Sequence, residues 1–314
     1  MVRYHSGSRP PMHLITLSLL LVTGFSFLGS HFWIAELLTH FRVQLMQLTL
    51  LFILYALWKR KNRTALILIL VALINYYPVL KLYLHTPHPT APPTHRALLI
   101  NLNHTQSNQV PALTEIQTIN ADIMILLEVT SSWLKTLHPL LQSHPHTLQH
   151  PREDPFGIAI FSRHPISHPK QYTHAPLDLP TLQFDLHLNQ QTITCFATHP
   201  PPPISPSLYH ARNQQLQTLS KQLQNIRYPA LVLGDLNTTP FSPHFQQLLE
   251  ETSLLDSTQG FGFQPSWNVG NPLFSLPIDH ALHHPNIQIN QRQIGNDIGS
   301  DHRPLILDFH LIER

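Results

Sequence analysis

At 314 residues the chain has room for one sizeable domain and something smaller. Of its 19 Lys/Arg and 17 Asp/Glu, eight basic residues and one acid (Glu36) precede Thr90, so 11 basic and 16 acidic residues follow, a net of −5 with His neutral. The longer part therefore lacks the basic stripe of a protein that neutralises many nucleic-acid phosphates, and the single cysteine, Cys195, excludes an internal disulfide. Cys195 lies in an apolar run and reads as a buried structural residue.

Three apolar runs come first: residues 14–30, residues 43–58 with a start as early as Leu37, and residues 65–84. Crossing a bilayer as a helix takes about 20 residues. The third run fits, and the first two approach that length with Trp, Tyr and long cations at the interface. About three transmembrane helices are expected within residues 1–84, in preference to a cleaved signal and core helices, because no small-x-small cleavage site precedes the next run. Asn75 is the lone uncharged polar residue near mid-membrane, too little for a transporter's substrate path. Arg3 and Arg9 precede the first run, and Lys59, Arg60, Lys61 and Arg63 separate the second from the third. Both segments belong in the cytoplasm, which puts everything after Leu84 on the extracytoplasmic side, the periplasm if the source is bacterial. Pro87, Pro89, Pro92 and Pro93 make residues 85–95 a stiff, extended linker.

Residues 96–314 alternate strands and helices. Strands are expected at 97–103, Ile123–Leu127, 157–161, 184–188, 192–197, 231–235, 278–282 and Leu305–Leu311, with a further segment at Ile287–Ile294. Helices are expected after Asn108, from Leu208 to Ile226, and near 245–250. Hairpins mix with crossovers, so two packed sheets flanked by helices fit better than one doubly wound sheet.

The polar residues with chemical potential fall where strands stop: Asn101 or Asn103, Glu128, His199, Asp235, Asn237, Asp279, Asp301 and His302. Asp235 and Asn237 are two apart, so a continuing strand would turn both to one face. A carboxylate there can orient or deprotonate a water, and a carboxamide can donate to a phosphate oxygen. Oxygen ligands from Asn, Glu and Asp suit Mg²⁺ or Mn²⁺.

The series Asn103, Leu126-Leu127-Glu128, Thr198-His199-Pro200, Gly234-Asp235-Leu236-Asn237, Ile278-Asp279-His280 and Ser300-Asp301-His302-Arg303-Pro304 resembles the endonuclease/exonuclease/phosphatase superfamily, in order and spacing, across residues 96–314. Arg212-Asn213-Gln214-Gln215-Leu216 and the segment from Gly260 to Trp267 look like motifs of its membrane-anchored bacterial branch. The resemblance implies a four-layered α/β sandwich and metal-dependent attack of water on a phosphoester. It implies Glu128 as principal metal ligand, aided by Asn103 and Asp301, with Asn101 left open on the same strand face. It implies Asp235 at the water, Asn237 and His199 at phosphate oxygens, and His302, oriented by Asp279, at the reacting phosphorus. Two points depart from the pattern. Leu127 stands where a Gln usually precedes the glutamate, and either Glu153 or Asp154 stands as the acidic partner for His199. Trp267, Phe261 and Phe263 serve as loop anchors or line a substrate pocket.

The leading expectation is a membrane-anchored phosphoesterase acting on nucleic acid, a phospholipid headgroup or a small phosphodiester, with the bilayer as its other partner and no protein partner inferred. The alternative is a catalytically silent binding module on the same fold.

Overall fold

The computed structural model describes residues 12–84 and 89–312. Arg3, Arg9 and Pro87 lie outside the described residues. The chain divides into two compact units, Met1–Leu80 and Lys81–Arg314.

The first unit is helical: α1 Met12–Ser26, α2 Trp33–His40, α3 Arg42–Trp58 and α4 Asn62–Lys81. Among the described residues α4 alone is long and apolar enough to cross a membrane, at 20 residues and a mean hydropathy of 1.8. The expected three spans are therefore not reproduced. Helix α1 has only 15 residues, and the second run is broken by a 69° bend between α2 and α3. The bend falls where Glu36, His40 and Arg42 interrupt the apolar sequence, and all three are buried. Arg42 donates to Asn75 Oδ1 (3.1 Å), whose amide donates to Thr23 Oγ1 (2.9 Å), so Arg42, Asn75 and Thr23 form one buried polar chain.

The second unit begins with β1 His95–Asn101, α5 Val110–Ile119, β2 Ile123–Leu127, α6 Ser131–Leu137, β3 His146–His150, β4 Ile158–Ser162 and β5 Ile166–His174. It continues with β6 Leu179–Leu188, β7 Gln191–Thr198, α7 Pro206–Leu223, β8 Ala230–Asp235, α8 Pro243–Thr252, β9 Leu255–Asp256, β10 Asp279–His283, β11 Ile287–Ile294 and β12 Leu305–Leu311. The strands form two six-stranded mixed sheets, ordered β11-β12-β1-β2-β4-β3 and β5-β6-β7-β8-β10-β9. Each sheet contains a parallel pair joined by a helical crossover, β1–β2 through α5 and β7–β8 through α7.

The two sheets face each other across one core that includes Leu99, Ile125, Ile160, Phe184, Leu233 and Leu307. On the outer face of the first sheet, Leu98, Ile100 and Leu126 pack against Ile116 of α5 and Trp133 of α6. On the outer face of the second, Phe196 and Val232 pack against Leu219 of α7 and Phe245 of α8. These layers make an α/β/β/α sandwich. Its central strands are buried on both faces, which is why they read in sequence as unbroken apolar runs. Ser205 and Ser242 start α7 and α8, each accepting a backbone N–H with its side-chain oxygen.

Candidate active site

Strands β1, β2, β7 and β8 end, and β10 begins, at one edge of the sandwich, and His302 sits just before β12 at the same edge. Two strands end in the same device. Asn101 Oδ1 accepts the N–H of Asn103 (3.1 Å), and Asp235 Oδ1 accepts the N–H of Asn237 (2.9 Å). In each turn the middle residue, Leu102 or Leu236, is fully buried. The third residue is left-handed, with φ 58° at Asn103 and 48° at Asn237. Side-chain-to-backbone bonds of this kind suit Asn and Asp, and Asn tolerates positive φ. Glu128 is left-handed as well, φ 59°, a conformation that costs about 1–2 kcal/mol for an L-residue and is retained where the surroundings enforce it.

These turns revise two expectations. The strand alternation that put Asp235 and Asn237 on one face stops at Asp235. Asn237 turns away, and its Nδ2 donates to Pro200 O (2.9 Å), tying the loop after β8 to the loop after β7. Likewise Asn101, not Asn103, faces Glu128. Asn101 Nδ2 lies 2.9 Å from Glu128 Oε1, 3.3 Å from Asp235 Oδ2 and 3.5 Å from His302 Nε2. Asn103 instead donates to Asp301 Oδ1 (3.0 Å). Asp301 is exposed, and its Oδ2 accepts from Trp267 Nε1 (3.1 Å). Trp267 also pairs its backbone with Leu276 and His302, so it anchors its loop.

One carboxylate oxygen is the centre of the arrangement. Asp235 Oδ2 is 3.3 Å from His199 Nε2 and 3.6 Å from His302 Nε2. His302 Nδ1 is 2.8 Å from Asp279 Oδ2. All four side chains are buried. The structure thus brings together Asn101, Glu128, His199, Asp235, Asp279 and His302, and sets Asn103, Asn237 and Asp301 in the bracing loops around them. Three further residues support this set: Arg212, which the sequence flagged only as part of a motif, and His104 and Arg292, which it did not flag. His104 holds Glu128 Oε2 through its backbone N–H (3.0 Å) and Nδ1 (2.8 Å). Fully buried Arg212 donates to Asn237 O (3.0 Å). Buried Arg292 donates to Asp279 O (3.3 Å) and Ser257 Oγ (3.2 Å). Only proximity to a flagged residue could have signalled His104, and nothing local marks Arg292. Neither acid offered as a partner for His199 reaches it. Asp154 is paired with Arg152 (2.6 Å), and Glu153 accepts from Ser131 N (3.1 Å). His199 Nδ1 makes no hydrogen bond among the described residues, and its ring packs on Phe156.

Electrostatics follow from this packing. Burial alone would lower the His302 imidazole, but the charge and hydrogen bond of Asp279, with Asp235 behind, raise it to about 9. His199 is raised too: burial opposes its charge, and Asp235 and Glu128 outweigh burial. Burial pushes the Glu128 carboxyl up, yet His199, His104 and Asn101 hold it below the ordinary carboxylate range. The result is a His302 imidazolium held at neutral pH beside the ionised Asp279, with ionised Glu128 across the site.

The donor set suits a hard dication. Glu128 is ionised, and its reach to the same Asn101 amide as Asp235 puts two carboxylates close together. A tighter group, Asp235, Asp279 and His302, can bring one ligand atom each within 4.8 Å of one another.

A sequence profile of the Endonuclease/Exonuclease/phosphatase family matches residues 98–302. No curated protein sequence matches the chain. Solved structures share the fold. An endonuclease/exonuclease/phosphatase from Beutenbergia cavernae is 18% identical with TM-score 0.57, covering 69% of this chain and 72% of its own. TDP2 from D. rerio, complexed with single strand DNA product, is 12% identical with TM-score 0.58, covering 69% and 98%. The human Nocturnin catalytic domain with bound sulfate anion is 17% identical with TM-score 0.57, covering 70% and 94%. At these identities the likeness is one of fold.

Proposed function

Because the chain belongs to the endonuclease/exonuclease/phosphatase family, we propose that it is a divalent-metal-dependent phosphoesterase held at a membrane by its N-terminal helices. The observation that carries this is the convergence of His199, His302 and Asn101 on Asp235 Oδ2, with Glu128 on the far side of the Asn101 amide.

Phosphoester hydrolysis needs an aligned water, neutralised nonbridging oxygens and a stabilised leaving group. Asp235, fixed by the Asn237 N–H, positions the water and takes its proton. The His302 imidazolium and a ring N–H of His199 donate to phosphate oxygens, and Asp279 fixes the His302 ring and keeps it charged. Asn237 keeps one amide hydrogen for a phosphate oxygen while its other fastens Pro200. Glu128, beside Asn101, is the principal residue to hold Mg²⁺ or Mn²⁺, and Asp301 adds to it from the loop that Asn103 braces. Such an ion, when bound, supplies Lewis-acid neutralisation of phosphate oxygens and a more acidic water.

Membrane attachment rests on α4 and on Lys59, Arg60, Lys61 and Arg63 around its start. With those cations in the cytoplasm, one span by α4 carries residues 96–314 to the extracytoplasmic side. The orientation does not depend on the number of earlier spans.

The test is turnover by the full chain in detergent, with Mg²⁺ or Mn²⁺ and with chelator, on plasmid DNA, an aryl phosphodiester and a phospholipid. Metal-dependent hydrolysis lost in Asp235→Ala is expected. Folded, metal-binding protein that hydrolyses none of the three would contradict this assignment.

A further inference from the structure

We infer that the active-site edge is also a lipid-docking rim, and that the phosphoester hydrolysed is carried on a lipid at a neutral lipid–water interface. The inference rests on the phosphoesterase assignment and narrows its substrate.

Among the described residues beyond residue 90, large apolar side chains are exposed mainly on this edge. Val110, Ile204 and Leu273 are exposed by 67%, 72% and 73%, Phe274 by half, and Leu177 by 38%. Val110 begins α5 after the β1 turn, and Ile204 follows His199 in the loop after β7. Leu177 precedes β6, whose Thr181 pairs with Thr198 at the site end. Leu273 and Phe274 cap the excursion before β10. Beyond residue 90, the other exposed large apolar side chains among the described residues are Leu255 and Ile312, at the opposite edge and at most 41% exposed.

The excursion that carries Leu273 is fixed at its base. Trp267 and Leu276 exchange backbone hydrogen bonds at 3.0 and 3.2 Å, and the N–H groups of Asn268 and Val269 donate to Asp301 O. A rigid neck on a site residue thus lifts an apolar tip out of the edge. A single exposed apolar residue is ordinary, but five gathered on the loops of one edge mark an interaction surface.

Charge decides what the rim meets. Residues 257–278 contain no charged side chain, and residues 199–205 contain none besides His199. The edge loops offer two arginines, Arg152 and Arg303, and Arg152 is committed to Asp154 at 2.6 Å. A polynucleotide would require several phosphate-neutralising cations along its track. Anionic lipid would require a polybasic patch. A zwitterionic interface requires neither and accepts apolar tips. The short stretch between Lys81 and His95 also limits how far the domain can travel from a bilayer that holds α4.

The full chain would be reconstituted in phosphatidylcholine vesicles and assayed on a phospholipid with a chromogenic headgroup in those vesicles, on a water-soluble aryl phosphodiester and on plasmid DNA. Ile204→Ser combined with Leu273→Ser is expected to lower turnover of the vesicle-borne ester at least about tenfold and to leave the soluble ester unchanged. Equal effects on both, no effect on either, or wild-type cleavage of plasmid DNA but not of the lipid would overturn the rim. A second readout needs no turnover. Cys195 is buried, so an environment-sensitive fluorophore on Leu273→Cys is selective, and its emission should shift to the blue in vesicles relative to detergent. The same label on Leu255→Cys, at the opposite edge, should not shift. Identical behaviour of the two labels would overturn docking. A shift confined to Leu273→Cys, with no substrate hydrolysed, would uphold docking and remove the phosphoesterase assignment instead.

Discussion

His302 concentrates the electrostatics of the site in one ring. Its raised value, about 9, arises because Asp279 and Asp235 overcome the burial that would otherwise lower it. An unfolded histidine titrates near about 6.5. The stabilisation from charging this ring is therefore fully present below that pH and is lost as pH rises through about 9, on the order of 3 kcal/mol. The melting temperature of the domain should fall steadily between pH 7 and pH 9.5. Asp279→Asn removes the charge that raises the ring, so it should flatten this alkaline slope. It should also cut turnover at least about a hundredfold, the usual scale for an acid–base group. An unchanged slope in that variant would show that Asp279 is not what holds the proton. Glu128 acts at the other limb. Its lowered carboxyl contributes stability above the ordinary carboxylate pKa, and that contribution disappears as pH falls through the lower, folded value.

Among the elements, the parallel pair β7–β8 places His199 and Asp235 side by side, and Gly234 sets its spacing. A Cβ on Gly234 would fall 2.1 Å from Thr198 O, a backbone atom of the neighbouring strand. Gly234→Ala must spread the strands, so a loss of about 3 kcal/mol is expected by denaturant titration. A turnover loss should accompany it, because Thr198 precedes His199 and Gly234 precedes Asp235. Wild-type stability would mean the strands are not so tightly paired. The central strands were legible because burial on both faces writes a continuous apolar run. Strands β3 and β5 were not, because they sit at sheet edges with half-buried or exposed residues such as Gln149, Lys170 and Gln171. Strand β5 also carries a bulge between Ser167 and Lys170 that disrupts alternation. The same limit explains Asn103. Alternation puts it level with Asn101, and a left-handed φ, which no hydrophobic pattern encodes, turns it to Asp301. Glu128, His199, Asp235, Asp279 and His302 were legible as a series of polar residues at strand ends. His104 and Arg292 act through contacts made by the fold and left no pattern in the sequence.

At the scale of the whole chain, the proposed membrane anchoring and metal binding each carry a test. The proposed topology, α4 across the membrane with its basic start in the cytoplasm, predicts that protease added outside intact spheroplasts degrades residues 96–314 of the full chain, and protection of that domain would reverse the orientation. Metal binding carries the second test. An ion held by the folded site alone stabilises the domain by RT ln(1 + [L]/Kd), about 2.7 kcal/mol at a hundredfold excess over Kd. For a domain of this size that corresponds to a rise of roughly 5–10 °C in Tm. Glu128→Gln keeps the shape and the bond to Asn101 but loses the charge, so the Mg²⁺-dependent rise should vanish even if the metal-free variant is as stable as wild type. His302→Gln supplies the contrast, because the alternative ligand group of Asp235, Asp279 and His302 needs that ring nitrogen. Loss of the metal-dependent rise in Glu128→Gln with retention in His302→Gln places the ion on the Glu128 side. From there it would supply neutralisation of phosphate oxygens, and the Asp279–His302 pair would keep its proton. The reverse pattern would seat the ion on the imidazole and leave the His302 ring unable to act as a proton-bearing phosphate contact.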